Sequence, residues 1–145
     1  ATPAPVYVYV PPPLPVAPAT KLQCTAAAGQ PNSCSGTVQQ PKSIGNKFKA
    51  ICDGVASCAG ATINIYYPAG GMIREMEGMW FIAPNAAVDA VINVGNYNPA
   101  MRIIAKHFEC SDVGSCVNTK FNLMNVDIGD FLCGVPGACD GCTIT

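Results

Sequence analysis

The apolar positions of this chain recur mostly with the two-residue period of a strand that buries one face. Ile63 and Ile65 alternate with Thr62 and Asn64, and Phe121 and Leu123 alternate with polar neighbours across Val117–Ile128. Lys47–Ile51, Phe131-Leu132 and Thr143–Thr145 read the same way, and Met72–Met76 with Met79–Ile82 around Gly78 reads as a hairpin. Pro68-Ala69-Gly70-Gly71 is a turn, and residues 21–46, broken by Gly29, Pro31, Gly36, Pro41 and Gly45, read as loops and short strands. Two segments compete for helix. Asn85–Val94 places Val88, Val91 and Ile92 at helical spacing. Asn98–Phe108 opens with a capping residue and proline, then sets Met101, Ile104, Ala105 and Phe108 on one face. Ile44, Phe48, Ile51, Cys52 and Val55 also fit a helical stripe. The pattern predicts a mostly β domain, an antiparallel sandwich or barrel stapled by disulfides, with at most two short helices; α+β is the alternative.

The first twenty residues break this pattern. Seven are proline, none is charged, and between Pro5 and Pro11 stands Val6-Tyr7-Val8-Tyr9-Val10, a strand sequence apolar on both faces. Pro11–Pro18 extends as polyproline II over about 25 Å, which disfavours a tight hairpin onto the adjacent chain. Burying three valines and two tyrosines yields about 7–10 kcal/mol, and ordering five residues costs about as much. Ladder hydrogen bonds tip that balance, and addition to an open sheet edge supplies them. The chain therefore divides into an extended arm, 1–20, with a donor strand at 6–10, and a single cysteine-rich globular domain, 21–145.

Nine cysteines change the picture further. Cys52–Cys58, Cys110–Cys116 and Cys133–Cys139 bound three glycine-containing C-x5-C loops, most simply hairpin turns closed by their own disulfides. If these close locally and Cys24 joins Cys34, Cys142 is left free or bridges two molecules; this is one connectivity among many. Such cysteine density points to an oxidising compartment. With Ala1-Thr2-Pro3 read as a mature N-terminus, the expected location is secreted, extracellular or cell-surface.

Composition narrows the function. Only 12% of residues are charged and half are hydrophobic, a poor cover for a solitary monomer, and the net charge of −1 leaves no basic excess for nucleic acid. No apolar run approaches the span of a bilayer. His107 is the sole histidine and stands in no catalytic motif. Glu75 with Glu77, and Asp127 with Asp130, are paired carboxylates in neither glycosidase nor calcium-loop context; solvated or interface charges are the favoured reading. Cys133, Cys139 and Cys142 have a zinc-like spacing but lack a second ligand pair. Lys42, Lys47 and Lys49 form a small basic cluster, and Tyr7, Tyr9, Tyr66, Tyr67, Trp80 and Tyr97 are candidates for a carbohydrate-binding face, with core or interface packing as the default. No catalytic residue, metal or cofactor is expected.

The expectation is a structural subunit that builds an extracellular filament, an open helical homopolymer, by inserting Val6–Val10 into a neighbour. Over those five residues and in its logic, the plan resembles that of donor-strand pilins, where an N-terminal alternating strand completes a neighbour's sheet. The alternative is a monomeric carbohydrate-binding or matrix module on a proline-rich stalk, with glycans on the proline- and threonine-rich arm.

Overall fold

The computed structural model describes residues 19–42, 44–67 and 75–145. Ten strands and no helix run through them: β1 (Ala19–Cys24), β2 (Val38–Gln39), β3 (Ile44–Cys52), β4 (Thr62–Tyr66), β5 (Glu75–Phe81), β6 (Val91–Gly95), β7 (Ile103–Cys110), β8 (Lys120–Met124), β9 (Val126–Cys133) and β10 (Thr143–Ile144). The odd-numbered strands form one sheet, β1-β3-β5-β7-β9, and the even-numbered strands a second, β10-β8-β6-β4-β2. Every neighbouring pair is parallel. The chain winds as a coil: each turn lays a strand in the first sheet, rounds a corner, lays a strand in the second and returns one spacing along. The architecture is a two-sheeted parallel β-solenoid.

The expected antiparallel sandwich or barrel is thus corrected. The C-x5-C loops are corners between sheets, not hairpins, so the strands flanking each loop never pair with each other. The corners repeat in backbone as well. Ala56, Asn85, Gly114 and Gly137 take left-handed φ at one corner position, and Gly60, Asp89, Asn118 and Gly141 at another. Successive corners are joined by hydrogen bonds such as Cys58 N–H to the Ala86 carbonyl and Ala87 N–H to the Ser115 carbonyl.

Both expected helices are strand and corner. Asn85 and Asp89 accept the left-handed conformation that a helix excludes. Ala86, Ala87 and Ala90 are small enough to be wholly buried inside the corner, and Val91, Ile92 and Val94 pass into β6. In the second segment Ile103, Ala105 and Phe108 are buried while Ile104 and Lys106 are exposed, a strand alternation that β7 shares with its neighbours. The expected hairpin at Gly78 is one continuous strand, β5. Gly78 sits in a bulge at φ +149°, where a Cβ would stand 1.8 Å from the His107 carbonyl oxygen.

Core residues stack in columns along the coil. Leu22, Ala50, Met79, Phe108 and Phe131 are register partners on the first sheet, facing Ile63, Ile92 and Phe121 on the second. Phe121 meets Phe81, Phe108 and Phe131 with ring centroids 5.9, 5.8 and 5.2 Å away. Outside the second sheet, side-chain amides form a ladder: Asn64 donates to Gln40, Asn93 to Asn64 and Asn122 to Asn93, and the Thr145 hydroxyl donates to Asn122. Cys24, Cys52, Phe81, Cys110 and Cys133 share another column. From it disulfides run to Cys34, Cys58, Cys116 and Cys139, and four such bonds in so small a chain fit an oxidising environment. No described helix is long and apolar enough to cross a membrane.

Candidate functional site

A solenoid whose turns are alike buries each turn beneath the next, so its end turns differ from the rest. Interior-facing Met76, Met79, Ile103, Ala105 and Phe108 on β5 and β7 have no accessible surface. The equivalent residues of β9, Val126, Ile128 and Phe131, pack on the same core but stay partly exposed. One side of β9 pairs with β7; on the other side no strand lies among the described residues. An eight-residue strand therefore presents a free ladder edge above a half-covered apolar layer. The second sheet ends at the same level on β10, only two residues long. β9 carries no proline to blunt its edge. Its outward acids are engaged sideways: Asp127 takes a two-pronged contact from Arg102 at 2.6 and 2.9 Å, and Asp130 lies 3.8 Å from His107.

The outer face of the first sheet gathers the other candidates. Trp80 and His107 lie with ring centroids 5.8 Å apart, and His107 Nε2 is 3.2 Å from Glu109 Oε1. Lys49, Ile51, Trp80 and Ile82 line a shallow groove of about 250 Å³. Lys106 Nζ reaches Glu75 at 2.5 Å and Glu77 at 3.8 Å, so this carboxylate pair brackets a lysine. The hydrogen bond from Lys106 holds Glu75 below the usual carboxylate range, and Arg102 does the same for Asp127. Asp127 and Asp130 thus have separate partners instead of a shared loop.

Of the residues expected to act, Val6–Val10 lie outside the described residues. Cys142 carries the free thiol, partly buried and pushed up in pKa by that burial. Cys133 and Cys139 are bonded to each other, which leaves no zinc-like trio with Cys142. Tyr66 and Tyr97 pair with each other, 5.8 Å between centroids, away from Trp80's groove-lining set. Sequence reasoning missed the β9 edge. Its signal was the recurrence of Asn64, Asn93 and Asn122 at intervals of 29 residues, which marks stacked turns and therefore an end turn. Comparisons with protein-family models, curated proteins and solved structures found no match to this chain.

Proposed function

We propose that this protein is a non-catalytic structural subunit that assembles end to end into an extracellular filament, the N-terminal strand of one copy completing the fold of the next. The observation that carries the reading is the free edge of β9 over a half-exposed apolar layer, in a chain with an uncharged strand sequence at its other end. An open edge of this length templates a further strand. A donor at one end and an acceptor at the other make a heterologous contact, which propagates instead of closing. Low charge and a disulfide at four of the five first-sheet turns suit a subunit built for permanence outside the cell.

Light scattering on size-exclusion fractions tests the proposal. The full chain should run as a concentration-dependent ladder of multiples of 15.0 kDa. Val8→Asp, a charge in the middle of the donor strand, should collapse that ladder to monomer; polymer unchanged by Val8→Asp contradicts the role of the arm.

The groove beside Trp80 favours a second reading, a module that stacks a sugar ring on the indole while His107 and Glu109 offer hydrogen bonds. Titration with soluble glycans, lost in Trp80→Ala, would support it.

A further inference from the structure

The assembly reading above leaves open which surface receives the arm and in what alignment. We propose that residues Val6–Val10 of a second copy add parallel to the free edge of β9, with Val8 opposite Phe131, Tyr9 opposite Leu132 and Val10 opposite Cys133. The inference rests on that reading and goes further, to one edge and one register.

Length and exposure choose the edge. β2 and β10 offer two residues each, too few for a five-residue strand. β1 leads directly out of the arm, and the layer behind it holds one partly covered residue, Leu22, where β9 leaves Val126, Ile128 and Phe131 partly bare. In the register below, Val8 and Val10 of the arm cover the Phe131 end of that layer, and Val6 falls beside Gly129.

Alternation and proline choose the register. Toward the end of β9, Asp130 and Leu132 point outward, Phe131 packs on Phe108 and Phe121, and Cys133 turns in to its disulfide. Val8 and Val10 must oppose the inward Phe131 and Cys133, since a one-residue slip would turn Tyr9 inward. With Val10 opposite Cys133, Pro11 falls beside Gly134, where the corner begins and ladder pairing within the sheet ends. Shifting the arm two residues back would set Pro11 and Pro12 against Leu132 and Cys133 inside the sheet, where proline removes ladder donors. Shifting it forward would push Tyr9 and Val10 into the corner. Parallel addition repeats the direction of every existing pair.

Geometry favours another copy as the donor, because a chain's own arm would reach this register with no slack. β9 lies four strand spacings, about 19 Å, from the β1 with which its own arm connects. The corner end of β9 is then about 25 Å away on a diagonal, a span the proline spacer meets only when taut. That path crosses the outer face on which Trp80, Lys106 and His107 stand.

Two full-length chains test it, each with Cys142→Ser to remove the native thiol: one carries Tyr9→Cys, the other Leu132→Cys. Mixed and mildly oxidised, they should form a disulfide-linked heterodimer on a non-reducing gel, and a chain with both substitutions should form a covalent ladder. Tyr9→Cys with Asp130→Cys, two residues out of register, should link at least tenfold less. All three positions are on the arm or the outer surface, so the fold is spared. Polymer seen in solution without a 9–132 link, or with preferential 9–130 linkage, overturns this edge and register while leaving assembly standing. A link confined within single chains overturns both, as does absence of polymer and link together.

Discussion

Asn93 donates to Asn64 at 2.8 Å and accepts from Asn122 at 2.9 Å, so one amide ties three turns of the coil together. Its neighbours are partly exposed and water replaces what is lost; Asn93→Ala should lower stability by about 1–2 kcal/mol, read from the midpoint of guanidinium unfolding. Phe121 is the costlier residue, touching three other phenylalanines with no surface of its own. Phe121→Ala should cost about 3–5 kcal/mol by the same measurement. The surface carboxylates contribute far less. Glu75 and Asp127 are held below their ordinary pKa by Lys106 and Arg102, so their contribution is present above the unfolded value and is lost as pH falls through the lowered one. Both are solvent-screened, and the melting temperature should drop by less than about 4 °C between pH 7 and pH 3. A larger fall would place a titrating group in the structural core.

At the level of strands and corners, each disulfide closes a short ring around a bend that two left-handed residues already shape. Replacing Cys110 and Cys116 together by serine should cost about 2 kcal/mol, measured by thermal unfolding, with the corner's backbone ladder to Ala138 and Asp140 retained. The strands themselves were legible in the sequence where one face is polar, as at Ile63 and Ile65. Their direction was not, because a C-x5-C loop looks alike as a hairpin and as a solenoid corner. The repeat that separates the two is masked at its centre: where turns on either side carry Cys52–Cys58 and Cys110–Cys116, this turn carries Phe81 and Ala87. Helical spacing at Val88, Val91 and Ile92 misled for a related reason. Corner residues that pack inward at Ala86, Ala87 and Ala90, followed by inward strand residues, mimic a 3.6-residue stripe. The candidate edge was invisible for want of a turn count, since an end strand is known as an end only once the stack is known.

For the whole molecule, stacked parallel turns give a rod with two unlike ends, and such a rod either caps its ends or extends. Among the described residues β9 keeps an eight-residue edge with no strand beside it and a partly bare apolar layer, and the sequence ahead of β1 carries Val6–Val10 followed by a proline-rich run. Those two features together are the basis of the proposed extension by exchange between copies. The most direct measurement is negative-stain imaging of the purified full-length chain at micromolar concentration, beside Val8→Asp prepared identically. The account predicts long unbranched filaments in the first and separate particles in the second. Dispersed single particles in both, or filaments in both, would contradict it.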